Sequence, residues 1–114
     1  MCRFVHLLVD MPGKRLETIQ QMLAQNPTDS FLLYGLANEY KNEGDLETAI
    51  ASYRKLIALN PDYVAAYYHC GLAQENAGDT TGAAETYDAG IAIARKIGDA
   101  HALSELQAAR DILG

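Results

Sequence analysis

The feature that most constrains this chain is a spacing: its pattern returns after 34 residues. Asn26-Pro27 recurs as Asn60-Pro61, and NEGDLETAIASY from Asn42 to Tyr53 recurs as NAGDTTGAAETY from Asn76 to Tyr87. Within that stretch Gly44-Asp45 matches Gly78-Asp79, Ala49 matches Ala83, and upstream Ala37 corresponds to Gly71. A period of this length means stacked supersecondary units, none of which buries its apolar face alone. Local chemistry identifies the unit. Asp29 and Asp62 follow prolines and precede helical apolar patterns, so each is expected to cap a helix start. Gly44 and Gly78 supply the left-handed residue that ends a helix, and Asp45 and Asp79 cap the next one. The unit is a helix, a tight turn and an antiparallel helix.

Helices are expected at about 14–25, 29–42, 46–58, 62–76, 80–97 and 99–113. Leu46, Ala49, Ile50, Tyr53, Leu56 and Ile57 recur at steps of three and four and share one face, as do Leu32, Leu33, Leu36, Ala37 and Tyr40. Small Ala37 and Ala49 let helices approach. Gly71, Ala83 and Gly90 take that part in the second unit, where a glycine inside a helix costs about 1 kcal/mol relative to alanine and so marks tight packing. Two hairpins are too few for a solenoid core, and the flanking helices answer this. Residues 12–28 form half a repeat with the stripe Leu16, Ile19, Met22 and Leu23. Residues 29–61 and 62–97 form the two repeats. Residues 98–114 form a cap, with Asp99 at its start, Ala102, Leu103, Leu106, Ala109 and Leu113 facing inward, and Glu105, Gln107, Arg110 and Asp111 facing water. The fold class is all-α, an α-solenoid of about six helices in antiparallel hairpins.

Composition narrows the partners. A formal net charge of -6 with no basic cluster argues against nucleic acid. Cys2 and Cys70 stand in unrelated contexts and read as reduced thiols, which suits the cytoplasm. The apolar run from Phe4 to Val9 is interrupted by His6 and closed by Asp10, lacks a small-x-small cleavage site, and is too short to span a bilayer. A second Met at position 11 precedes the periodic sequence, so residues 1–11 read as a tail, with residues 1–10 either a non-native extension or an extra turn or strand on the first helix.

At Leu33, Leu36, Ala37, Tyr40, Gly44, Ala49, Tyr53, Leu56 and Pro61 the chain resembles the tetratricopeptide repeat family. In the second unit Tyr67, Cys70, Gly71, Gly78, Ala83 and Tyr87 fit, whereas Gln74 replaces the usual aromatic, Gly90 the usual alanine and Arg95 the usual proline. Loss of that proline lets the helix from Thr80 run on towards Ile97. The whole chain is similar to small stand-alone bacterial members that end in a helix like DAHALSELQAARDIL. The resemblance implies a concave groove lined by the first helix of each unit, holding an extended peptide or a helix. It assigns Phe31, Tyr34, Asn38, Lys41 and Asn42, then Ala65, Tyr68, Leu72, Glu75 and Asn76, to that groove, with Tyr34 and Tyr68 as an aromatic pair. The alternative is that these tyrosines pack on the terminal helices and fill the groove from within. A clamp for a C-terminal carboxylate is only half built, since Leu72 and Glu75 stand opposite Asn38, Lys41 and Asn42.

No enzyme is expected, nor a metal or cofactor. His6, His69 and His101 lack partners at ligand spacing, and His69 and Cys70, being adjacent on a helix, point about 100 degrees apart. Cys70 reads as core. The Gly-Asp turns lack the run that cradles phosphate. Glu39, Glu43, Glu47, Glu85 and Asp88 read as solvated helix faces. The expected function is a non-catalytic scaffold that binds a protein or peptide, as a monomer or weak homo-oligomer. The alternatives are structural self-association, or service as an accessory subunit of an enzyme.

Overall fold

A computed structural model describes residues 12–114, with side chains from residue 14 onward; the expectations for residues 1–11 lie outside it. Six helices follow one another among the described residues: α1 (Pro12–Gln25), α2 (Ser30–Asn42), α3 (Leu46–Leu59), α4 (Val64–Asn76), α5 (Thr80–Ile97) and α6 (Ala100–Leu113). Each packs on its predecessor, giving a stack 50 Å long and 28 by 22 Å across. This is an all-α solenoid.

The turns explain the antiparallel hairpins. Gly44 and Gly78 adopt φ of 85° and 86°, a region where a Cβ would be strained. The next N–H reaches back to close the helix, Asp45 to the Tyr40 carbonyl and Asp79 to the Gln74 carbonyl, both at 2.9 Å. The same aspartates then cap the following helix, Asp45 Oδ1 accepting from Thr48 N–H at 3.2 Å and Asp79 Oδ1 from Gly82 N–H at 2.8 Å. Asp29 and Asp99 cap α2 and α6 in the same way. Asp62 does not cap α4. Tyr63 holds the cap position without a side-chain bond, and the Asp62 carboxylate accepts from Lys96 Nζ at 3.2 Å instead. One period earlier, Asp62 corresponds to Thr28 and Tyr63 to Asp29.

Two apolar clusters fill the stack. The first joins Leu33, Ala37, Tyr53, Leu56, Ala66 and Cys70, with Leu23 of α1 against it. The second joins Tyr67, Ala83, Tyr87, Ala94 and Leu106, with Ala102, Leu103, Ala109 and Leu113 of α6 against it. The terminal helices therefore complete cores that the hairpins leave open. Both suspect glycines lie at close approaches: a Cβ on Gly71 would sit 2.2 Å from the Tyr87 ring, and one on Gly90 would sit 2.6 Å from Tyr67 Cβ. Gln74 is buried and satisfied, accepting from Thr86 Oγ1 at 2.6 Å and from the Cys70 thiol at 3.8 Å. Burial pushes that thiol up to about 11, so it stays protonated.

Two surface expectations change. Met22 is 49% exposed, because only one side of α1 has a neighbour among the described helices. Glu39 is mostly covered rather than solvated, accepting from Arg15 Nε at 3.1 Å and tying α1 to α2.

Candidate partner-binding face

Curvature follows from which helices meet. α2 approaches α4, and α4 approaches α6, whereas α1, α3 and α5 do not approach one another among the described residues. The stack is therefore pinched on the side of α2, α4 and α6 and splayed on the other, so those three helices form the inner face. The last helix is a third wall of that face as well as a cap.

A row of aromatic rings runs along this face. The Tyr34 ring lies 5.4 Å from Tyr63 and 5.5 Å from His69, edge to face with the imidazole. His69 lies 5.4 Å from Tyr68, again edge to face, and stacks on Tyr53 at 6.3 Å. Tyr34 and Tyr68 are thus joined through His69, which stands between them. Beneath the row, Tyr53 donates its hydroxyl proton to Asn38 Oδ1, and Tyr87 donates to Glu75 Oε2. Inner-face side chains are held from below by the outer helices. Burial holds both phenols above the ordinary range, with Glu75 adding to the shift at Tyr87.

Lys41 and His69 form a polar pair on this face, with Nζ 3.3 Å from Nδ1. An ammonium has no acceptor, so Nδ1 accepts its hydrogen bond and the neutral ring carries its proton on Nε2. Burial lowers the His69 pKa and Lys41 lowers it further, while Glu105 opposes them. Of the other residues expected in a groove, Phe31 is 73% exposed and Asn42 and Asn76 are exposed, whereas Ala65, Leu72 and Glu75 are half-buried. Tyr68, Leu72 and Glu75 form one wall of a cleft of about 350 Å³ whose other wall is Glu105, Ala108, Ala109 and Ile112 of α6. His69, Glu105, Ala108 and Ile112 extend the sequence-based set. In the sequence His69 reads only as a neighbour of Cys70, and the last helix reads as a cap rather than as the next inner helix.

The splayed side carries clefts of its own. One of about 430 Å³ lies between α1 and α3 over Leu33, Leu36 and Tyr40. Its counterpart one period on, over Tyr67, Cys70 and Gln74, is about 300 Å³. Among the described residues no group of three or more His, Cys, Asp or Glu is placed to hold a metal ion, and no helix is long and apolar enough to cross a membrane.

Helical hairpins stacked with their first helices inward define a helical-repeat protein. A TPR repeat model matches residues 37–78 and a tetratricopeptide repeat model matches residues 18–51. A TPR repeat-containing protein of Pseudomonas aeruginosa is 32% identical over 91 residues, which takes in 80% of this chain and 87% of the relative. The chain belongs to the tetratricopeptide repeat family. A tetratricopeptide repeat domain protein of Salinibacter ruber has the same fold at a TM-score of 0.73 and 39% identity, covering 76% of this chain and 88% of that one. The TPR2B domain of yeast Sti1, solved in a complex with pHsp70, superposes at a TM-score of 0.83 with 20% identity over 90% of this chain and 82% of that one. The fold supports a protein-interaction module, and proteins of this family are in general non-catalytic.

Proposed function

We propose that the inner face of α2, α4 and α6 holds a short segment of a partner protein, and that the chain acts as a cytoplasmic scaffold without catalysis of its own. The observation that carries this is the ring row of Tyr34, His69 and Tyr68, flanked by Asn38 and Lys41 and opening into the cleft against α6. Tyrosines bring a rigid apolar face and a hydroxyl at low entropic cost, which suits them to contact a peptide. A cleft of about 350 Å³ between α4 and α6, lined by Tyr68, Leu72 and Glu75, supports this reading. The test is capture of partners by the wild type and by a Tyr34→Ala, Tyr68→Ala double mutant, both verified as folded by circular dichroism. Loss of the captured partners is expected. Retention of every partner by the folded double mutant overturns the reading.

Self-association is the second reading, favoured by the exposure of Phe31 at 73% and Ile112 at 82%. A sedimentation series over a hundredfold range of concentration separates the two. A monomer throughout removes self-association.

A further inference from the structure

The inner face is polarised along the stack. At its α2 side stands Lys41, with its ammonium on the neutral His69 ring. At its α4–α6 side stand two carboxylates, Glu75 and Glu105, one on each wall of the cleft of about 350 Å³. Between them the lining is the Tyr68 ring and the aliphatic surfaces of Leu72, Ala108, Ala109 and Ile112. This combination has a specific chemical complement. A long side chain ending in a cation lays its methylenes on apolar surface and keeps its charge at a polar rim. An aromatic face beside the charge adds a further attraction.

We propose that this cleft takes a lysine or arginine side chain of the bound segment, with its stem on Leu72, Ala108 and Ile112 and its cation between Glu75 and Glu105. The inference rests on the inner-face reading above and adds the chemistry of the occupant. Glu75 is positioned for this, because Tyr87 donates to its Oε2 and a carboxylate has about four acceptor sites, so capacity remains. Glu105 has His101 one turn before it, with Nε2 at 3.6 Å. That imidazole is 86% exposed, so an incoming ammonium or guanidinium displaces it at little cost. The formal charge of -6 draws a basic segment towards the chain, and Lys41 repels its cation from the α2 side. The bound segment is thereby oriented, with its basic residue over α4–α6.

The experiment is a selection of random decapeptides displayed on phage against the folded chain. Selected peptides are expected to share a Lys or Arg at one position, and selection against Glu105→Lys is expected to lose that preference. A representative peptide titrated by calorimetry should bind about tenfold more weakly when its basic residue becomes Met, and by a similar factor to Glu105→Gln, with affinity falling as salt rises. Glu105 lies outside the core, so Glu105→Gln reports on binding even if Glu75→Gln disturbs the Tyr87 bond. Peptides that need Tyr34 and Tyr68 but share no basic residue, or that ignore Glu105→Gln, overturn this inference and leave the inner-face reading standing. A failure to select any peptide, or selection indifferent to Tyr34 and Tyr68, overturns both. A dimer that Glu105→Lys dissolves puts a second copy in the cleft and overturns the partner assignment.

Discussion

The hairpins α2–α3 and α4–α5 share one turn geometry and fill the space between their helices differently. In the first, Ala37, Leu33 and Leu56 lie in the core. In the second, the corresponding positions are Gly71, Tyr67 and Gly90, so a larger ring at one site is matched by removal of a side chain at another. In the second hairpin α4, α5 and α6 converge where Tyr67 and Leu106 meet over Gly90. One repeat pattern thus accepts different packings, provided that the volumes compensate. The polar positions diverge as well: the phenol of Tyr53 is bonded to an amide, that of Tyr87 to a carboxylate.

The largest effects come from the glycines. Gly90→Ala should cost about 3 kcal/mol in urea unfolding, even after the gain in helix propensity, because its new methyl meets Tyr67 Cβ. Tyr67→Ala cannot relieve that contact, since every residue except glycine keeps its Cβ. Gly71→Ala should cost a similar amount but be largely relieved in a Tyr87→Ala background, because there the obstacle is a ring. Non-additivity at 71 and additivity at 90 would confirm the contrast; the reverse pattern would break it.

Next come the phenols. Tyr87→Phe should cost about 2 kcal/mol and Tyr53→Phe about 1 kcal/mol, since a bond to a charged acceptor is the stronger kind. Both phenols titrate higher in the folded chain than when unfolded, so the unfolded chain loses its protons first. Their stabilisation is full below the unfolded value of roughly 10 and is lost as pH rises beyond it. Each Tyr→Phe change should flatten the alkaline fall in the melting temperature. An unchanged slope would contradict the burial assigned to these rings.

A smaller contrast lies in the caps. Asp29→Ala should cost about 1 kcal/mol, and Asp62→Ala, which removes only an exposed ion pair, less than about 0.5 kcal/mol. Equal losses would restore Asp62 as a cap. The smallest concerns His69, whose counterpart in the first hairpin is Gly35. Its folded pKa is lowered, so its contribution is present above the unfolded value of roughly 6.5 and declines as pH falls through the folded one. His69→Gln should reduce the acid slope of stability in that window.

Much of this was legible because four of the six described helices carry their own punctuation. A side-chain cap marks where α2, α3, α5 and α6 begin, a turn glycine precedes α3, α5 and α6, and an apolar stripe sets how each faces. Asp62 follows a proline as a cap would, yet in the period it aligns with Thr28, and the capping position falls to Tyr63. The volume exchange between Tyr67 and Gly90 was only half visible. The cost of a helical glycine announced close packing, but the atom that fills the space comes from another helix. Inner-face positions on α2 and α4 followed from the family resemblance. The place of His69 did not, since its ring is defined by neighbours on α2, α3 and α4 together. Nor did the wall contributed by α6, which depends on α5 turning that helix back against α4.

We propose the pinched face, and not the splayed one, as the binding surface. Backbone amide shifts of the isotopically labelled chain, recorded as a selected decapeptide is added, test it most directly. Shifts concentrated at Tyr34, Asn38, Lys41, Tyr68, His69 and Glu105 are predicted. Shifts concentrated instead around Leu36, Ser52 and Lys55, in the outer cleft between α1 and α3, would contradict the account.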